Sequence, residues 1–199
     1  VIGGEHSVRI AGSADELWDY LATFTNWAPH VVGYQSLREV DEKTSVWTLR
    51  GDVGILSREV EIEVAVTAWD VGRSATFALT GLTERLTGTG SFDVRPDDEA
   101  PPAAPVAPAA ERLGWWARFR RRMARRMIRR ARGAGPATAA PASSGSAPEG
   151  PAAWLTFRLE VAPGGPMAPM VEMLMEPLLE PAAEDLSLQI QQALEGRSR

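Results

Sequence analysis

The chain has 199 residues, 21 of them basic and 26 acidic, with two histidines and no cysteine. Such a length suits one domain with an appendage, and zero cysteine excludes a disulfide framework, a thiolate nucleophile and a cysteine metal site. Charge is unevenly spread: residues 111–132 hold ten arginines and one glutamate (+9), while the remaining 11 basic and 25 acidic residues give −14, so any contact with nucleic acid or an anionic membrane belongs to that segment.

The first residues, VIGGEHSVRIAGSADELW, show no basic stretch leading into an apolar run, so no signal peptide is expected. No stretch approaches the ~18 apolar residues of a spanning helix. His6 to Ile10 alternates as a strand. Ser13-Ala14-Asp15-Glu16 is a capping box that starts a helix, with Leu17, Tyr20, Leu21 and Phe24 at helical spacing. A second helical piece runs from Asn26 to His30, and Gly33 closes the segment after it. The period then changes to two: Tyr34–Val40, a turn at Asp41–Lys43, Thr44–Arg50, Ser57–Trp69, a turn at Asp70–Gly72, Ser74–Thr80 and Leu86–Val94. Gly88 and Gly90 inside the last of these predict a bulge or sharp bend. Ala153–Val161 adds a final strand, and a long helix follows from Met167, with Pro177 and Pro181 expected to kink or split it.

Between the last two strands the composition shifts. Pro96–Ala110 and Gly133–Ala152 read as disordered linkers around an Arg-rich helix at 111–132. On a helical wheel Trp116, Phe119, Met123 and Met127 share a quadrant, widened by Leu113, Ala124, Ile128 and Ala131. Arg118, Arg121, Arg122, Arg125, Arg126, Arg129 and Arg132 take the other side. Such a helix suits an anionic membrane surface, with Trp115 and the other rings down and guanidinium groups on phosphates. Single-stranded RNA, a partner protein, or plain solvation are the alternatives. The expected domains are 1–95 plus 152–199, with 96–151 as the insertion.

The order of elements is that of a helix-grip α+β fold, a curved antiparallel β-sheet wrapped around a long C-terminal helix. The chain resembles the SRPBCC superfamily (START, polyketide cyclase and Bet v 1-like proteins), and within it the carbon monoxide dehydrogenase G group. Ala14-Asp15-Glu16-Leu17-Trp18 is similar to the opening "P-x-x-V/L-W", and Val31-Val32-Gly33-Tyr34-Gln35-Ser36-Leu37 to "I-P-G-C-x-x-L", with Val32 and Tyr34 where that group has Pro and Cys. Gly51-Asp52-Val53-Gly54-Ile55 lies near its "V-G-P-I", and Leu86-Thr87-Gly88-Thr89-Gly90-Ser91 precedes the final hairpin. The resemblance implies a cavity protein with little or no catalysis, in some members an accessory factor to a molybdenum hydroxylase and its membrane.

Chemistry-bearing residues are few. His30, with Tyr34 and Arg50, is the catalytic candidate; His6 alternates within a strand and reads as structural. No cluster has metal-ligand spacing, no cofactor is expected, and Glu59, Glu61 and Glu63 read as the solvated face of a strand. Lining of the implied cavity is expected from Trp18, Trp27, Trp47, Phe77, Trp154, Phe157, Met167, Met170 and Leu174, with Met173 and Met175 in the same soft, adaptable cluster. Trp69, beside a turn, is read as exposed. The insertion leaves at the end of the Asp41–Lys43 and Asp70–Gly72 turns, an end that resembles the ligand portal of helix-grip proteins.

These features together predict a cytoplasmic protein, peripheral on the inner face of the membrane, with a partner enzyme as a candidate contact of its acidic body. It would bind a hydrophobic small molecule, lipid-like or isoprenoid, and load or deliver it at an anionic membrane through 111–132, as a binder more than an enzyme. The alternatives are a cyclase or aromatase on a polyketide-like substrate, with His30, Tyr34 or Arg50 orienting it, and an RNA- or protein-docking arm.

Overall fold

The alternating segments form strands β1 (Ile2–Ala11), β2 (Tyr34–Glu39), β3 (Thr44–Val53), β4 (Leu56–Asp70), β5 (Ser74–Gly81), β6 (Leu86–Pro96) and β7 (Ala152–Pro163). All pair antiparallel in one sheet of order β1-β7-β6-β5-β4-β3-β2. The structure is a computed structural model that describes residues 1–53, 56–101, 150–166 and 168–197, and the backbone alone at 52, 53, 56, 57 and 174.

Between β1 and β2 lie α1 (Ala14–Leu21), α2 (Phe24–Trp27) and a 3-10 turn over Ala28–His30. The expected capping box forms: the Glu16 amide donates to Ser13 Oγ at 3.2 Å, and the Ser13 amide to Glu16 Oε2 at 2.9 Å. Phe24, expected to end this helix, instead opens α2, so the second helical piece begins two residues before Asn26.

The last helix, α3 (Ala168–Arg197), is not split by its prolines. Its buried residues are Pro181, Ser187, Ile190 and Leu194, most of them in the second half, and it lies along β1 and β7. Met170 and Met173 in its first half are 48% and 74% exposed.

The sheet is strongly curved. The Trp27 ring lies 5.4 Å from Trp47 on β3 and 6.5 Å from Phe157 on β7. Those two rings are thus at most roughly 12 Å apart, whereas four inter-strand steps in a flat sheet span about 19 Å.

The glycines of β6 do not make the expected bulge: its register with β5 and β7 is unbroken. They are needed for close approach instead. A Cβ at Gly90 would stand 2.1 Å from the Phe77 ring, and one at Gly88 2.4 Å from the Glu160 carbonyl oxygen. The register shifts fall elsewhere, between Tyr34 and Ser36 and between Val66 and Ala68.

Candidate functional site

Pairing fixes which side chains share the concave face. One row crosses the sheet as His6, Phe157, Phe92 and Ala75, and the next as Gly4, Leu159, Gly90, Phe77 and Val66. A third runs Ile2, Val161, Gly88, Leu79, Val64 and Ser45.

At the end where β6 finishes and β7 starts, this face is sealed. Ile10, Ala75, Phe92, Val94, Ala153 and Leu155 are at most 2% exposed. Trp18 of α1 closes over them, 5.2 Å from Trp69 and 5.8 Å from Phe92. Trp69 reaches this position because the extra residue at Val66/Ala68 shifts it from the outward phase of β4 to a place opposite Ala75. It is 41% exposed, as expected beside a turn, and its ring still packs against Trp18 and Phe92.

Farther along, Phe24, Trp27, Trp47 and Phe77 pack as mutually tilted or edge-on rings at 5.4–6.4 Å. Offset geometries of this kind add roughly 0.5–1.5 kcal/mol per pair to simple burial. The indole N–H of Trp27 donates to the Leu21 carbonyl at 3.0 Å, and that of Trp47 to Ser45 Oγ at 2.9 Å.

Beyond these rings the concave face is only half-buried. Tyr34, Leu37, Leu49, Ile62, Val66, Phe77, Leu79, Phe157 and Leu159 all fall in this class. The band opens toward the end formed by residues 31–33, the β5–β6 turn and the β7–α3 connection. Leu82 in that turn is 50% exposed. Ile2 and Val161 are buried again.

The insertion does leave at the end of the turns after β2 and β4: the Val94 amide donates to the Arg73 carbonyl at 2.7 Å, and Arg9 holds Asp97 at 2.6 Å. That ion pair keeps the Asp97 carboxyl below the usual carboxylate range. The expectation that this end is the portal is corrected by its sealing with Trp18, Trp69 and Phe92. The open apolar band faces the opposite end.

The expected lining residues separate accordingly. Trp18, Trp27 and Trp47 are 5–6% exposed and form the sealed floor, whereas Phe77 and Phe157 reach the half-buried band. Trp154 pairs with Arg9 and Arg95, which places it on the convex face. Met167 and the side chain of Leu174 lie outside the described residues, as do the expected membrane-binding residues Trp115, Trp116, Phe119, Met123, Met127, Arg118, Arg121, Arg122, Arg125 and Arg129.

The catalytic candidates do not converge. His30 Nε2 lies 3.1 Å from the Tyr20 hydroxyl, which also donates to the Asn26 carbonyl at 2.8 Å. Burial raises the Tyr20 pKa, opposed by the Arg197 guanidinium 5.3 Å above its ring. Tyr34 shares the concave face with Leu49, and Arg50, one residue on, occupies the convex side. Among the described residues no group of three or more acidic or histidine side chains is placed to hold a metal ion.

With this geometry the sequence matches, over residues 3–143, a family model described as polyketide cyclase/dehydrase and lipid transport. The chain belongs to that family. Its fold is accordingly the helix-grip plan of the START/polyketide cyclase (SRPBCC) superfamily. No curated protein matches it in sequence. Among solved structures it is similar to a conserved protein from Geobacillus kaustophilus, with a TM-score of 0.61 at 13% identity over 98% of this chain and 96% of that one. It is similar as well to the Zhui aromatase/cyclase from Streptomyces sp. R1128, with a TM-score of 0.53 at 13% identity over 99% and 95%. A point mutant of Thalictrum flavum norcoclaurine synthase gives 0.52 at 10% identity over 99% and 96%. At these identities the likeness is one of fold.

The family's ligand-binding fold is thus present, with a hydrophobic concave face to serve it. Among the described residues no helix is long and apolar enough to cross a membrane. His6, set aside as structural in the sequence, lies on the concave face beside Phe157. The signal was there: His6, Val8 and Ile10 alternate in phase.

Proposed function

We propose that this member of the polyketide cyclase/dehydrase and lipid transport family binds one hydrophobic small molecule, lipid-like or isoprenoid. The ligand lies in the cleft between the half-buried band and the first half of α3. The observation that carries this is the burial gradient. Side chains at most 2% exposed at one end give way along the same strands to Phe77, Leu79, Phe157 and Leu159, which keep apolar surface in contact with solvent. At about 25 cal/mol per Å², a ligand covering 200 Å² of such surface gains about 5 kcal/mol before the costs of association.

Residues 111–132 hold the protein at an anionic membrane in this reading, with the sorting of rings from arginines as support. The insertion is rooted opposite the open band, so the arm works as a tether. Of the expected linker Pro96–Ala110, Pro96 ends β6 and Asp97–Glu99 form a 3-10 turn; the remaining residues 100–110 span at most about 40 Å, which lets the cleft face either the bilayer or a partner. Val31–Tyr34, within the segment similar to the carbon monoxide dehydrogenase G group, sits at the open end. Gly33 there has φ +81°, and a Cβ on it would stand 2.3 Å from the Arg50 carbonyl oxygen. On that resemblance the reading extends to an accessory factor for a molybdenum hydroxylase.

Co-sedimentation with vesicles tests the tether. The wild type is expected to pellet with phosphatidylserine-containing vesicles and not with pure phosphatidylcholine. A variant carrying Arg121→Glu, Arg122→Glu, Arg125→Glu and Arg129→Glu is expected to stay in the supernatant, since each basic side chain near such a surface contributes about 1 kcal/mol. Equal partitioning of the two proteins removes the membrane role, and retention on single-stranded RNA without vesicle binding transfers the arm to the nucleic-acid reading.

A further inference from the structure

We infer that the outer face of α3 is a docking surface for the chain's own residues 111–132, which divide their time between that face and an anionic membrane. The competition rests on the tether reading above; the docking does not. Ser187, Ile190 and Leu194 form the side of α3 that lies along β1 and β7. Met170, Met173, Pro177, Glu180, Glu184 and Leu188 fall within about 80° of one another on a different side of the helical wheel. Exposure along this outer side is uneven. Met170, Met173 and Leu188 toward its two ends are 48%, 74% and 56% exposed. Between them Glu180 is exposed, but Pro177, Glu184 and Asp185 are half-buried, and Pro181, opposite Ile190 on the wheel, is buried. The middle of the face is therefore covered, although it is turned from the sheet.

Charge and apolarity together choose the occupant. α3 carries six acids and one base, Arg197, which sits 5.3 Å above the Tyr20 ring. Glu172 and Glu176 take the inward side, Glu172 beside the Val1 ammonium at 2.7 Å. Glu180, Glu184, Asp185 and Glu195 set the sign of the outer one. Residues 111–132 complement both properties: Trp116, Phe119, Met123 and Met127 suit the thioethers and Leu188, and arginines bordering that stripe have stems long enough to reach the acids. The reach is sufficient. α3 runs back to the insertion end, where Arg197 meets Tyr20 of α1. Pro181 stands 16 residues before Arg197, about 24 Å along the helix, within the ~40 Å that residues 100–110 can span. A phosphatidylserine surface offers the same arginines denser charge and the same rings a deeper apolar layer, so it displaces α3.

Because the chain has no cysteine, a nitroxide on Gly114→Cys reports the docking in the full-length protein. Without vesicles it is expected to cut the amide signals of residues 177–188 to less than half of their strength with the nitroxide reduced. Glu180→Gln combined with Glu184→Gln and Asp185→Asn is expected to restore them. The same triple variant is expected to bind phosphatidylserine-containing vesicles about tenfold more tightly than the wild type, the gain when a segment docked nine-tenths of the time is released. Glu59→Gln combined with Glu61→Gln and Glu63→Gln removes equal charge from β4, and its vesicle affinity is expected to change by about twofold or less. Full signals in the wild type, or attenuation that survives in the α3 triple variant, overturn the docking. Attenuation of isotope-labelled protein by a separate nitroxide-labelled copy gives the face to a second molecule and overturns it too. Equal vesicle affinity for the two triple variants overturns the competition. Attenuation in a wild type that binds no vesicles removes the tether reading and leaves the docking standing.

Discussion

Phe92→Ala is expected to destabilise the protein by about 3–5 kcal/mol, the cost of emptying a fully buried aromatic site. Phe92 is 0% exposed and stands where three indoles meet, 5.8 Å from Trp18 and 6.4 Å from both Trp27 and Trp69. Those rings come from α1, α2 and the bulged end of β4, so none can follow the lost side chain without leaving its own packing. Domains of this size hold about 5–15 kcal/mol in total, so the loss takes a large share of it. With a urea slope of about 2 kcal/mol per M, the unfolding midpoint falls by about 2 M. Trp69→Ala is the internal control: it removes a 41% exposed ring and costs distinctly less. A loss below about 1 kcal/mol for Phe92→Ala would mean that the seal is not built as described.

Gly4→Phe has the opposite signature, a large loss of binding at no cost in folding. Gly4 lies on the concave face opposite Leu159, and a Cβ added there meets nothing within 4 Å. Its φ is not positive, so a strand residue replaces it without backbone strain, and removing glycine's extra freedom in the unfolded chain is worth about 0.4–1 kcal/mol. The phenyl ring then occupies the space over Leu159 and Phe77 in which the ligand is proposed to lie. Nile red affinity is expected to drop at least tenfold, with the urea midpoint unchanged or slightly raised. Glu5→Phe places the same ring on the convex face and breaks only a surface ion pair with Arg158, worth about 0–1 kcal/mol; its affinity is expected to match the wild type.

Much of this architecture was readable from the residues, because the two periods are local properties of the chain. Seven alternating segments became seven strands, and the Ser13–Glu16 box fixed the start of α1. What escaped was non-local. Trp69 is exposed as expected of a residue beside a turn, but the bulge between Val66 and Ala68, which reverses the phase of β4 only in its pairing with β5, also sets its ring opposite Ala75 and against Trp18 and Phe92. That reversal adds Trp69 to the cluster of Trp18 and Phe92 at the insertion end. Gly88 and Gly90 signalled an irregularity, but the close approaches that require them come from Glu160 and Phe77 on neighbouring strands. Trp154 and Phe157 are a different lesson. They stand three apart in one strand and cannot share a face at a period of two, so their separation was already present in the sequence. The split between His30, tied to Tyr20, and Arg50, on the convex face, needed the tertiary path of α1 and α2.

Which end of the cleft opens is decided by watching the apolar side chains as a ligand enters. Methyl-labelled Leu, Ile and Val in the full chain, titrated with decanoate, report which of them meet it. The largest shifts are expected at Leu37, Ile62, Leu79 and Leu159, with Val40, Val71 and Val94 at the insertion end unmoved. Largest shifts at Val40, Val71 and Val94 would contradict a cleft that opens away from the insertion.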